Sequence, residues 1–452
     1  MRFLRAALIC LLVGTALFLC QSCEKTPPRD KWNVLWIVVD DLMASHLGAA
    51  GYERNITPNI DRLAKDGVRF EHCVTQSPWS LPSYASMLTS RHPWELIMGD
   101  AYLMHIKAET DVARSRDPYR MPDMNRHWYV AMKDDVTTIA EVMKEEGLST
   151  GAWVNNAWLA PKKYGMEQGF DHYFDGLADA SPYTPADETV RLAGDWIEEN
   201  RDGRWFAFVQ LMDPHKPHRS HKDINFGDRI IDRYDAEIAF TDRAIGTLLD
   251  RLEDMGLSGR TLVIINADHG EGIFEQDKAF VGHGGGVIPE IVFVPLIIKW
   301  PGGSDDVTIS ALSRNLDIMP TVLELLKIDK APDMDGTSLV DTITSREEVS
   351  AVPACTSSVL KGPEQVSAIL QSGEDTFFQA IIIPPYQRTD IFEIKDMDRK
   401  PVRRGSHAER AINNANQCVR ESIKFLESAK RGMPAELDED MKRKLETLGY
   451  IE

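Results

Sequence analysis

Residues 33–41 read "NVLWIVVDD", an apolar run from Val34 to Val39 closed by Asp40 and Asp41. A half-exposed strand alternates apolar and polar residues, whereas an unbroken run rich in β-branched side chains belongs to a strand covered on both faces. The form recurs in "RWFAFVQLMDPH" (204–215) and "RTLVIINADHG" (260–270), and with a different ending in "IVFVPLIIKWPG" (291–302). Helical patterns lie between these runs. "TPNIDRLAKDG" (57–67) places Thr57 as cap, Pro58 in the first turn and Gly67 as stop. "VTTIAEVMKEEG" (136–147), "ADETVRLAGDWIEEN" (186–200) and a long segment from about Ile230 to Met255 follow. Buried strands alternating with helices predict an α/β domain around a largely parallel sheet.

From about Ser345 the texture changes. "QVSAILQS", "TFFQAIII" and "TDIFEIK" read as short strands without long helices between them, followed by a helix from about Glu409 to Ser428 and a charged tail. The organisation expected is a larger α/β domain over 33–344 and a smaller sheet-plus-helix subdomain over 345–452. Ahead of them, residues 24–32 form a polar tether and residues 1–23 an export signal. Arg2 and Arg5 precede an apolar stretch, Ala6 to Leu19, too short for a dependable membrane span. Its end, "CQSC", resembles a bacterial lipoprotein signal with Ser22 before a lipidated Cys23, which implies a membrane-anchored protein of the periplasm or cell envelope. A simple cleaved signal or a retained anchor is the alternative.

Among 452 residues, 51 are Lys or Arg and 70 Asp or Glu, a formal charge of −19 without a basic block. A run of phosphates would find nothing to neutralise it, which excludes nucleic acid as a partner. Beyond the signal, Cys73, Cys355 and Cys418 are too few and too scattered for a disulfide framework or a metal-binding pair; Cys355 with Cys418 is one candidate bridge.

Three of the predicted strands end in groups that bind cations or anions: Asp40 and Asp41, Asp213 with His215, and Asp268 with His269. The carboxyl ends of strands form the ligand-binding edge of an open α/β sheet, so these groups converge on one place. A pair such as "DD" or "DHG" alone reads more often as a turn or a cap. Together, oxygen and imidazole donors at one edge describe a divalent-cation site. "SLPSY" (80–84) adds a serine at a helix entrance. Ser80 is either a cap or a nucleophile beside free amides and a cation that lowers its hydroxyl pKa.

With these residues in place the chain resembles the sulfatase family of the alkaline phosphatase superfamily. The matching segments run in family order: "NVLWIVVDD", "TPNIDRLAKDGVRFEHCVTQSPWSLPSYASMLTS", "DPHKPH", "NADHGEG", "GHGGG" with "VPLIIKWPG", "LDIMPTVLELL" and "LDEDMKRKLETLGYIE". The resemblance implies a mixed, mainly parallel central sheet flanked by helices, a small C-terminal antiparallel sheet with a helix, and one divalent cation, usually calcium. It places Asp40, Asp41, Asp268 and His269 on the metal-ligand positions, Ser80 on the nucleophile, His215 on a sulfate-contacting histidine and His283 near a substrate-binding lysine. Asp213 and His218 complete the anion-facing "DPHKPH" segment.

Two positions depart from the family pattern. Tyr84 stands where the nucleophile motif carries arginine, and "NNAWLA" (155–160), with Asn156, replaces a segment that brings a lysine and a histidine to the nucleophile. Both bear on whether a maturation enzyme oxidises Ser80 to formylglycine. A formylglycine hydrate has two hydroxyls, one to attack sulfur and one to collapse and expel sulfate; a plain serine would become an alkyl sulfate that turns over poorly. The sequence therefore carries three expectations. The first is an exported hydrolase of sulfated small molecules or glycans, with Ser80, His215 and His283 catalytic and Asp213, His218, Tyr84 and Asn156 facing substrate. The second is a phosphoesterase or phosphotransferase using unmodified Ser80, with a second metal. The third is an inactive lipoprotein that binds anionic glycans. The insertion 101–129, rich in Arg, His and Tyr, either lines a substrate cleft or is a surface loop.

Overall fold

The computed structural model describes residues 26–96, 129–130, 132, 134–161, 164–177, 183–273, 281–284, 286–303, 306–329, 333–346, 350, 352–358, 365–383, 388–395, 398–402, 405–428 and 434–435. The export signal, almost all of the insertion 101–129 and the C-terminal tail lie outside the described residues. No described helix is long and apolar enough to cross a membrane.

A nine-stranded sheet forms the centre. Its strands in chain order are β1 (Asn33–Val39), β2 (Val68–Val74), β3 (Ser149–Val154), β4 (His172–Asp175), β5 (Trp205–Leu211), β6 (Thr261–Asn266), β7 (Phe293–Lys299), β8 (Val307–Ile309) and β9 (Ser313–Arg314). They lie side by side in the order β8-β2-β7-β6-β1-β5-β3-β4, with β9 pairing β2. β7 is antiparallel to both neighbours, β2 and β6, while the other pairings are parallel, so the sheet is mixed and mainly parallel. Pro295 has no N–H for the ladder, and the register of β7 against β2 shifts around it, between Val294 and Leu296. Every residue of β1, β5 and β6 is buried, as their continuous apolar runs require. β2 to β4 were not named from sequence, because their runs are shorter or interrupted by polar residues.

The helices α1 (Pro58–Lys65), α2 (Ser80–Thr89), α3 (Ile139–Glu145), α4 (Ala186–Glu199), α5 (Ile230–Asp254) and α6 (Ile318–Leu326) accompany the sheet. Thr57 does not cap α1 through its side chain. Its Oγ1 accepts from Gly48 N and donates to Asp61 Oδ1 instead. The amides at the start of α1 go to α5, where Asp242 accepts from Asn59 N at 3.1 Å and Ile60 N at 2.8 Å. A carboxylate from a neighbouring helix thus meets the positive end of α1, and a cap in space replaces the cap in sequence. Gly67 follows α1 where a Cβ would come 2.7 Å from the Ile298 carbonyl oxygen.

Beyond this sheet, β10 (Ala354–Ser358), β11 (Gln365–Gly373), β12 (Thr376–Ile383), β13 (Arg388–Lys395) and β14 (Asp398–Pro401) form an antiparallel meander in sequential order. α7 (Ser406–Ser428) packs on β11 and β12, and the Cys355–Cys418 disulfide fastens it to β10. β10 reaches the chain just before α2: Thr356 Oγ1 donates to Thr75 O at 2.7 Å, Ser357 N to Gln76 O at 3.1 Å, and Ser77 Oγ to Ser357 O at 3.2 Å. The C-terminal sheet therefore braces the entrance to the helix that carries Ser80.

Candidate active site and metal centre

Register brings the site residues together. Val39 pairs with Leu211 and Val38 with Asn266, so the chains that continue past β1, β5 and β6 leave the sheet side by side. Asp40 and Asp41 follow β1, Asp213 and His215 follow β5, and Asp268 and His269 follow β6, all of them buried. Asp41 holds a left-handed φ of 61°, a conformation Asp tolerates better than most residues and one that collects at functional sites. Tyr234 from α5 pins it there, donating to Asp41 O at 2.6 Å and accepting from Met43 N at 3.0 Å.

Ser80 is the first residue of α2, with Trp79 as N-cap. Trp79 packs edge-on against Trp158 at 5.4 Å, which sets the entrance of α2 against the turn Ala157–Leu159 and the adjoining Asn156. Ser80 Oγ lies 3.2 Å from His269 Nε2 and accepts from Asn156 Nδ2 at 3.1 Å. The same Nδ2 donates to Asp40 Oδ2 at 2.7 Å, and Gln210 Nε2 and Tyr84 OH donate to that oxygen at 3.1 and 3.3 Å. Tyr84 and Asn156, the two departures from the family pattern, thus meet on Asp40.

The other carboxylate oxygens are placed differently. Asp40 Oδ1, both oxygens of Asp41 and Asp268 Oδ2 are buried and accept no hydrogen bond of ordinary geometry. Nitrogen atoms nevertheless crowd them: His269 Nδ1 and His283 Nδ1 stand 2.9 and 3.0 Å from Asp41 Oδ1, His269 Nε2 is 3.3 Å from Asp268 Oδ2, and His215 Nε2 is 4.0 Å from Asp41 Oδ2. In three triads, Asp40 with Asp268 and His269, Asp41 with His269 and His283, and Asp40 with Asp41 and His215, the donor atoms lie within 4.8 Å of one another. Among the described residues no lysine or arginine pairs with these aspartates. Three buried carboxylates that have only histidines for countercharge are costly, and a divalent cation would supply further charge and a partner for their open oxygens. The donor set fits such an ion.

The titrations express the same crowding. Burial, then the charges of Asp268 and Asp41, push Asp40 well above the usual carboxylate range. Burial also works to raise Asp41, but His283, His215 and His269 outweigh it and hold Asp41 well below. His269 goes up despite burial because Asp268 and Asp41 favour its charged form. His283 goes up against burial through Asp41. Burial drives His215 down to about 3, so its ring is neutral. Its Nδ1 faces the Lys216 carbonyl at 2.6 Å and must carry the proton, which makes Nε2 an acceptor on the Asp41 side.

Asp213 and His218 are the other residues expected from sequence to face the anion, and the charges of Glu271, Glu237 and Asp41 act on His218. Asp213 Oδ1 accepts from Ala186 N at 3.3 Å, at the start of α4, and burial with Glu237 nearby raises its pKa to about 7. His218 is half-buried, edge-on to Tyr234 at 5.8 Å, and lowered chiefly by burial. Three residues at the site went unrecognised. Gln210 is the polar interruption in the buried run of β5, and a buried amide needs partners, so the sequence did carry a signal. Glu271 is fully buried two residues after His269, with Oε2 3.7 Å from His283 Nδ1. Tyr234 sits in the middle of α5 without a local signal.

A family model described as Sulfatase matches residues 32–328. The chain is 27% identical over 401 residues to the ulvan-active sulfatase of Formosa agariphila, across 74% of this chain and 70% of that protein. Among solved structures, Ps i-CgsB in complex with k-i-k-neocarrahexaose superposes with a TM-score of 0.66 at 19% identity, covering 93% of this chain and 98% of that one. Phosphonate monoester hydrolase SpPMH from Silicibacter pomeroyi superposes with a TM-score of 0.63 at 16% identity, covering 90% and 100%. At these identities the two structural likenesses are likenesses of fold.

Proposed function

Because the chain belongs to the sulfatase family, and is a sulfuric ester hydrolase, we propose that Ser80, oxidised to formylglycine, is its attacking residue beside one divalent cation held by Asp40, Asp41, Asp268 and His269. One observation carries the reading: Ser80 Oγ sits 3.2 Å from His269, within a cluster of buried carboxylate oxygens that accept no hydrogen bond. A bound cation would supply charge to the ester oxygens and acidity to the nucleophile; calcium is the ion the resemblance favours.

The form of the nucleophile follows from the reaction. Ser80 Oγ stands for one hydroxyl of the aldehyde hydrate. That hydroxyl, its proton lost to solvent, attacks sulfur and breaks the S–O bond to the leaving alcohol, which takes a proton from His283, the imidazole whose protonated form Asp41 favours. The second hydroxyl then gives its proton to the neutral His283 and collapses to the aldehyde, expelling sulfate, and water restores the hydrate. The oxidation removes two hydrogens from the Ser80 side chain and is the work of a maturation enzyme that acts on "SLPSY" and supplies the electron acceptor. The substrate is a sulfated glycan, the class named for the ulvan-active relative. The protein is exported and held at the cell envelope through Cys23.

Tyr84 supports a second reading. Its hydroxyl serves Asp40, and no arginine occupies the signature position beside the nucleophile. An unmodified Ser80 would then attack phosphate esters, with Asp41, His215 and His283 as donors to a second cation. Sulfate release from aryl sulfates and sulfated oligosaccharides, and phosphate release from aryl phosphates, measured for the wild type, Ser80→Ala and Asp268→Asn, separate the two. The first reading expects release by the wild type alone. Release of phosphate without sulfate would establish the second.

A further inference from the structure

We propose that Asn156 is a positioning residue for the nucleophile, holding the attacking oxygen in register with Asp40, and does not bind substrate. The inference rests on the proposed role of Ser80. The orientation of the carboxamide follows from three of its hydrogen bonds. Trp158 N donates to Asn156 Oδ1 at 3.0 Å, and a backbone amide only donates, so the oxygen end faces the turn Ala157–Leu159. The amino end must therefore face Ser80 Oγ and Asp40 Oδ2, at 3.1 and 2.7 Å. Its two hydrogens supply both bonds.

Three properties follow from that geometry. Ser80 Oγ receives a hydrogen bond from a group that titrates at no accessible pH, so one of its lone pairs is fixed whatever the protonation of the surrounding histidines. Asp40 Oδ2 is taken up by Asn156, Gln210 and Tyr84, which aims Oδ1, the oxygen without a hydrogen bond, at the candidate ion. Asn156 is itself fully buried, with both ends of its amide engaged by protein atoms, which leaves little for a substrate to contact. Where the family brings a lysine and a histidine to the nucleophile, this chain places a neutral donor that orients it without adding charge.

The test compares the wild type with Asn156→Leu, a near-isostere without donors, and Asn156→Lys, whose ammonium reaches the same oxygens. Turnover of an aryl sulfate and bound cation, by elemental analysis, are measured for each. The expected result is a fall in kcat of about 10²-fold for Asn156→Leu, the scale of losing one oriented donor. Measured at saturating cation, where any weaker anchoring of Asp40 is masked, KM should hold, and Asn156→Lys should recover part of the rate. A raised KM with unchanged kcat would make Asn156 a substrate ligand, and full recovery of kcat in Asn156→Leu at saturating cation would make it support for the metal alone; either overturns the proposal. If the wild type releases no sulfate, the proposed function fails on its own, and positioning is then judged by a double-mutant cycle of unfolding between Asn156→Leu and Ser80→Ala. Coupled effects uphold the contact, and additive effects overturn it.

Discussion

Asp40 concentrates much of what distinguishes this site. One of its oxygens gathers three neutral donors and the other accepts no hydrogen bond, so a single carboxylate is anchored on one side and presented on the other. Tyr84 is the most exchangeable of the three donors, since at 3.3 Å its bond is the longest. Tyr84→Phe should therefore weaken divalent-cation affinity by less than about tenfold, in line with ~1 kcal/mol for one neutral hydrogen bond, while the fold stays intact. Calcium titration of the apo protein by calorimetry measures it; a loss of several orders of magnitude would mean that Tyr84 does more than support Asp40. The aspartates and His269 were legible in the sequence because each ends a continuous apolar run, a pattern that reveals both the strand and its carboxyl end. Glu271 was not, because it follows a turn outside any strand, and only the fold brings its carboxylate to His283.

Among the elements, α1 shows where local reading stops. Proline in the first turn and glycine after the last were read correctly, but the cap came from Asp242, 185 positions after Thr57, which no local pattern reveals. Its carboxylate meets two backbone amides and the Asn59 side chain, tying α1 to α5. Asp242→Ala should lower unfolding stability by about 1–3 kcal/mol, since buried donors lose their acceptor. Urea denaturation followed by circular dichroism measures the change, and Thr57→Ser, which keeps the hydroxyl, should change little. The edge strands β10 and β14 escaped the sequence reading for a related reason: "ACTSS" and "DRKP" have no apolar alternation, and they are strands only because β11 and β13 offer them hydrogen bonds.

At the scale of the whole molecule, the central sheet and the C-terminal meander meet at the segment Thr75–Ser77, so the stability of the smaller sheet reaches the entrance of α2. Another property belongs to the fold as a whole, its tolerance of acid. His46 is buried between Tyr52 and Tyr234, and burial with Arg54 nearby lowers its pKa to about 4. The folded state then binds its proton less tightly than the unfolded state. The stabilisation is present above the unfolded value near 6.5 and is lost as pH falls from there through about 4. Denaturation midpoints should fall across that window, and His46→Gln should flatten the fall by up to about 3 kcal/mol. An unchanged pH profile in His46→Gln would show that other groups govern it.

The central claim is that sulfate chemistry at this site runs through an oxidised Ser80, and the mass of one peptide tests it most directly. The protein is purified from its native host, shown to release sulfate, and digested; the peptide containing Ser80 is weighed. The account predicts a mass lower than the unmodified sequence by two hydrogens, in proportion to the active fraction. An intact serine in fully active enzyme would contradict it.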